Sequence, residues 1–171
     1  QITDLDVDGS GRLYLSAWDG AGYSGSPDKG YVIRAVPANW TYQAFPDVTK
    51  SGINELAGLL KSASAVARLS ASQELIARAD KQASDAALAV ATDALLPLYA
   101  RVAGIYTYAQ ATGEAAIPAL VTLTNDADVR EHALRALADR KAWVKDVPTA
   151  PFLAGLKDPS PRVQASAIIG L

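Results

Sequence analysis

Cysteine and methionine are absent from the 171 residues, and histidine occurs once, as His132. Without cysteine there are no disulfides, no thiol catalysis, no thiolate-ligated zinc and, within this chain, no C-x-x-C-H haem attachment. One imidazole excludes any His-rich metal site or two-His constellation. No Lys/Arg cluster breaks a net charge of −2, so the basic footprint of a nucleic-acid binder is missing. No run of about 20 apolar residues is present to span a membrane. The longest candidate, 86–98, is interrupted by Asp93 and Pro97. The start carries no signal-peptide pattern. Gln1 and an apolar run that breaks off at Leu171 lead us to expect a segment of a longer protein.

What is present falls into two halves. Residues 1–48 hold six of the twelve glycines and most of the aromatics, among them Tyr14, Trp18, Tyr23, Tyr31, Trp40, Tyr42 and Phe45. Leu5 and Val7 alternate with Asp4, Asp6 and Asp8, and Leu13, Leu15 and Ala17 alternate with Tyr14, Ser16 and Trp18. Tyr31–Arg34 is a third short run, and "DGSG" and "DGAGYSGSPDKG" are turn sequences between them. This pattern predicts short strands joined by tight turns. So few strands cannot close a core alone.

From residue 49 onward the apolar period becomes helical. Ile53, Leu56, Leu59 and Leu60 form one stripe, Ile117, Leu120 and Val121 another, and Phe152, Leu153 and Leu156 a third. The triplets Ala67/Ala71/Leu75, Ala100/Gly104/Tyr108, Val129/Ala133/Leu137 and Val163/Ala167/Leu171 repeat, their first members 33, 29 and 34 residues apart. Residues four apart share a helix face, and the small middle member lets a neighbouring helix come close. Each such helix follows a partner, near 51–61, 82–95, 114–124 and 147–157. Asp126 and Ser160 are expected as N-caps, and Pro97 and Pro161 suit first-turn positions. The expected fold is mostly α. Residues 49–171 form an α-solenoid of about four helix pairs (about 51–79, 82–112, 114–140 and 147–171), preceded by a small β segment, 1–48.

"IPALVTLTNDADVREHALRALADR" (117–140) resembles a HEAT repeat. "DVDGSGRLYLSAWDGAGYSGSPDKGYVIRAV" (6–36) resembles the closing blade of a sugar-dehydrogenase-like β-propeller, with D-G-x-LY, a following Trp and G-x-(I/V)-x-R. Together they resemble the large membrane-bound dehydrogenase family of planctomycetes and verrucomicrobia. Members join a sorbosone-dehydrogenase-like propeller to HEAT repeats and often to a C-terminal cytochrome c domain. The resemblance implies a periplasmic or extracellular redox parent using haem c or a quinone. Its catalytic and haem positions lie outside this chain, so no catalytic residue is carried over and no cofactor is expected in this segment. Three readings follow. The first is a non-catalytic scaffold that contacts neighbouring domains or a protein partner. The second is a stand-alone HEAT-repeat adaptor. The third is a contributor of loops to a sugar- or alcohol-oxidising site.

Individual residues carry further expectations. Asp4, Asp6 and Asp8 open like a calcium loop, but its twelfth position is Leu15 and its apolar eighth is Gly11, which favours a hairpin turn over a metal site. Arg68, Arg101 and Arg130 recur one place after the triplet's first member, where Gln164 stands in the fourth. They are expected to bond neighbouring carbonyls or acids such as Asp126 and Glu131, with an acidic partner as the alternative. Tyr99 and Tyr106 share a helix face, as inter-repeat fillers or as a partner patch. Trp18 and Trp40 suit a domain seam or carbohydrate stacking, and the 19–30 loop is the first place to seek a small ligand. His132 reads as a boundary residue.

Overall fold

The computed structural model describes residues 2–18 and 29–171. Three strands form, the alternating β1 (Ile2–Val7) and β2 (Leu13–Trp18) and the β-branched run of β3 (Gly30–Ala35). They form one antiparallel sheet in the order β1–β2–β3. The register sets Leu5, Leu15 and Ile33 in one cross-strand row and Val7, Leu13 and Ala35 in the next. Side chains alternate between faces, so these residues line one face while Asp4, Asp6, Tyr14, Ser16 and Arg34 line the other. The apolar face is open: Leu5 is 62% and Ile33 47% exposed. Between β1 and β2, the Gly11 N–H donates to the Asp8 carbonyl (2.9 Å) and the Asp8 N–H to the Arg12 carbonyl (3.0 Å). Gly11 takes a φ of +85°, open to glycine without a Cβ clash. This is the hairpin turn that "DGSG" predicts.

An irregular stretch, 36–52, leads from the sheet to the helices and is fastened at both ends. The Phe45 ring packs on Gly9, and the Arg12 guanidinium lies 4.8 Å from the centre of the Tyr42 ring. At the other end Val48 packs against the helical core, and Arg78 Nη2 donates to the Ser51 carbonyl at 2.8 Å.

The rest is helical: α1 (Ile53–Leu60), α2 (Ala65–Arg78), α3 (Lys81–Thr92), α4 (Leu98–Thr112), α5 (Ile117–Leu123), α6 (Arg130–Ala138), α7 (Ala150–Gly155) and α8 (Pro161–Gly170). Helix α1 packs on α2, α3 on α4, α5 on α6 and α7 on α8, while α2, α4, α6 and α8 pack one on the next. The triplet residues form the core of this arrangement. All three members are buried in α2, in α4 and at α6; in the last triplet Val163 and Ala167 are buried but Leu171 is exposed. Gly104 shows why a small middle residue is needed. A Cβ there would lie 2.6 Å from the Ala91 nitrogen and 2.8 Å from the Ala87 carbonyl oxygen, both backbone atoms of α3.

The caps differ from expectation. Val129, not Asp126, is the N-cap of α6, and Ser160 caps α8 without a side-chain hydrogen bond. The side-chain caps are Ser64, accepting from the Ala67 N–H at 3.3 Å, and Asp80, accepting from the Ala83 N–H at 2.7 Å. Pro97 sits at the N-cap of α4 and Pro161 in the first turn of α8. Among the described residues no helix is long and apolar enough to cross a membrane.

Candidate functional site

The recurring arginines share a task. Arg68 Nη1 donates to the carbonyls of Ser62 (2.8 Å) and Ala63 (3.0 Å). Arg101 Nε donates to Ala91 (3.1 Å), Arg130 Nε to Thr124 (2.7 Å), and Gln164 Nε2 to Asp158 (2.7 Å). Each side chain reaches back to the end or joint of its partner helix, where carbonyls lack an intrahelical partner. Two of the arginines also reach forward to the next pair. Arg101 Nη2 meets Asp126 Oδ2 at 2.6 Å, and Arg130 Nη1 bonds Asp158 Oδ2. Arg101 is only 2% exposed.

The two carboxylates are placed alike. Asp126 Oδ1 accepts the Asp128 N–H (3.0 Å), and Asp158 Oδ1 accepts the Ser160 N–H (2.8 Å). The Arg101 hydrogen bond holds Asp126 below the usual carboxylate range. For Asp158 the Ser160 N–H does most of this, followed by Arg130. Asp93 is the third of the set, accepting the Leu95 N–H at 3.0 Å, with no arginine on it among the described residues. The three acids are spaced 33 and 32 residues apart. An Asp in the joint of the second, third and fourth pairs, with none in 61–64, is a signal that repeat alignment could have found.

Arg68 behaves differently from its counterparts. Its guanidinium lies 4.6 Å from the centre of the Tyr99 ring, a cation–π distance. Tyr99 is 42% exposed rather than a buried filler. Tyr106 is half-buried, and its ring stands edge-on to His132 at 6.3 Å. Burial raises the Tyr106 pKa and lowers that of His132, whose Nδ1 is buried without a hydrogen-bond partner among the described residues. These side chains, with Leu69, Leu98 and Val102, line a groove of about 690 Å³ between α2 and α4.

At the hairpin, Asp8 is fully engaged. Its Oδ1 accepts the Ser10 N–H (3.0 Å), the Ser10 hydroxyl (2.7 Å) and the Arg12 N–H (3.0 Å), and its Oδ2 meets Arg12 Nε at 2.6 Å. Partial desolvation would raise its pKa, but these bonds outweigh it and hold the carboxyl far below the usual range. Asp4 and Asp6 turn their Oδ1 atoms to the N–H groups of Leu5 and Val7. Asp8 therefore ties the turn together, while Asp4 and Asp6 each bond only the next residue of β1; no group of three ligating side chains suited to a metal occurs among the described residues. Trp40 tilts against Tyr42 at 5.9 Å, beside the hairpin, and Trp18 ends β2 opposite Gly30. Most of the 19–30 loop, singled out for a small ligand, lies outside the described residues.

Fold and contacts define a mostly helical protein with a small antiparallel sheet, whose second, third and fourth helix pairs are joined by Arg–Asp links. No protein-family model matches the chain, and no curated protein matches it.

Proposed function

We propose that this chain is a non-catalytic scaffold and protein-interaction segment. Its four helix pairs are HEAT-type repeats stacked as an α-solenoid, and its sheet is the end of a β-propeller blade. One observation carries the reading. The same side-chain position, at Arg101 and at Arg130, bonds its own pair's backbone and the aspartate of the following pair. A link recurring at one position of successive pairs supports repeated units stacked in order. The open apolar face of the sheet supports the blade assignment, because a three-stranded sheet needs a further layer to bury Leu5 and Ile33. The parent is a secreted bacterial redox protein of the family resembled, with haem c or a quinone held by parts of it other than this segment. The partners are neighbouring domains of the parent or a separate protein.

Stacked repeats lose stability locally, because each touches only its neighbours. Phe152 is 1% exposed in α7. In Phe152→Ala, amide hydrogen exchange should accelerate across 147–171 while α1–α4 keep their protection. Uniform loss of protection in every helix would mean a single cooperative bundle and would remove the solenoid reading.

A further inference from the structure

Equivalent positions of successive pairs make a comparison possible within the one chain. By the triplet alignment, Leu69 of α2 corresponds to Glu131 of α6, and Tyr99 of α4 to Arg162 of α8. Between α6 and α8 this face is closed by charge: Arg162 Nε lies 2.9 Å from Glu131 Oε2, and Arg135 Nη1 lies 3.6 Å from Glu131 Oε1. Between α2 and α4 the same face is apolar and open. Leu69 is 59%, Leu98 49% and Tyr99 42% exposed. Contiguous exposed apolar groups of this kind mark interaction surfaces.

The charge at this groove is also singular. Arg101 and Arg130 each meet a carboxylate of the next pair, but Arg68 has none among the described residues and lies on the Tyr99 ring. Only its Nη1 donates, leaving Nε and Nη2 without a hydrogen bond among the described residues. The lining contains Arg68 and His132 and no carboxylate. Along α4 it runs from Leu98 to Gln110, roughly 18 Å at 1.5 Å per residue. An amphipathic helix laid in a groove matches that length and character.

We infer that the α2–α4 groove is a docking site for an acidic amphipathic helix of a partner protein. Its apolar side lies on Leu69, Tyr99, Val102 and Tyr106, and one of its carboxylates pairs with Arg68. That carboxylate takes the place that Asp126 and Asp158 hold for Arg101 and Arg130. The inference rests on the scaffold reading but fails separately from it, since peptide binding and the exchange pattern of Phe152→Ala are independent readouts.

The test uses two fluorescent helical peptides of about 12 residues. Both carry leucines on one face; one has glutamates along the edge and the other lysines in their place. Anisotropy titration of the whole chain should show the glutamate peptide binding at least about tenfold tighter, with the preference shrinking as salt rises. Arg68→Gln should bring the two affinities together, and Leu69→Glu should abolish binding of the glutamate peptide. Should Leu69→Glu lose its helical melting transition, Tyr99→Ser takes its place. Glu131→Gln, on the corresponding face of α6, should leave affinity unchanged. Equal affinities, no binding of the glutamate peptide, or binding indifferent to the Leu69 and Tyr99 substitutions would overturn the proposal. So would self-association in sedimentation that Leu69→Glu removes, which would make the occupant a second copy.

Discussion

Arg101 is the largest fully buried side chain among the described residues. It is buried to 2% exposure, donates to the Ala91 carbonyl and ends on Asp126. Arg101→Ala should therefore lower stability by about 2–4 kcal/mol, below a fully buried pair because Asp126 stays partly in water. Arg101→Lys should recover only part of this, since an ammonium cannot present two separate edges. Urea unfolding measures both. His132 offers a pH handle. Burial against Tyr106 lowers its pKa from the ordinary value of about 6.5, Arg135 and Arg162 add to the effect, and Glu131 opposes it. The unfolded chain then binds the proton more tightly. The contribution is full above about pH 6.5 and is lost as pH falls through the depressed folded value. Comparing unfolding near pH 7.5 and near pH 5.5 should show a smaller acid loss in His132→Gln than in the parent sequence. The recurrence of Arg68, Arg101 and Arg130 was visible in the sequence. Backbone carbonyls and Asp126 were expected as partners and are found, whereas Asp158, 28 residues from Arg130, was not foreseen.

Helix positions were the most legible feature, since a 3.6-residue apolar period reports directly on a buried stripe. The caps were the least, because an acidic or hydroxyl side chain before a helix has competing uses. Asp126 is claimed by Arg101, whereas Ser64 and Asp80 have no such rival and do cap. The two mid-helix glycines separate packing from propensity. Gly104 abuts the α3 backbone, so Gly104→Ala should destabilise by about 1–3 kcal/mol despite the better helix propensity of alanine. Nothing lies within 4 Å of a Cβ at Gly58, so Gly58→Ala should stabilise by about 0.5–1 kcal/mol. Thermal melts of the two variants should move in opposite directions. If both moved upward, the close approach of α3 and α4 would be wrong.

For the whole molecule, the division into a β part and a helical part was readable from composition, but the state of the sheet was not. Alternation puts Leu5 with Val7 and Leu13 with Leu15, but it shows neither that these rows meet Ile33 on one face nor whether that face is covered. Because Leu5 is 62% exposed, Leu5→Arg should shift the stability of this chain by less than about 0.5 kcal/mol. In a parent carrying further blades the same substitution should lower the melting temperature. A loss of similar size in both would contradict the blade assignment. The α2–α4 groove was hidden for another reason. Tyr99 and Tyr106 were visible as a shared face, but only the structure shows that Leu69 and Tyr99 stay exposed where Glu131 and Arg162 pair.

The uneven placing of the Arg–Asp links also has a mechanical meaning. Arg101–Asp126 clamps the second helix pair to the third, and Arg130–Asp158 clamps the third to the fourth. The first junction has no Arg–Asp clamp among the described residues: Arg68 lies on Tyr99, Asp93 turns to its own loop, and the Thr107 and Ser72 hydroxyls meet at 2.7 Å. The first junction is thus held by a ring and a pair of hydroxyls instead of an ion pair, so added salt should loosen the other two junctions more than this one.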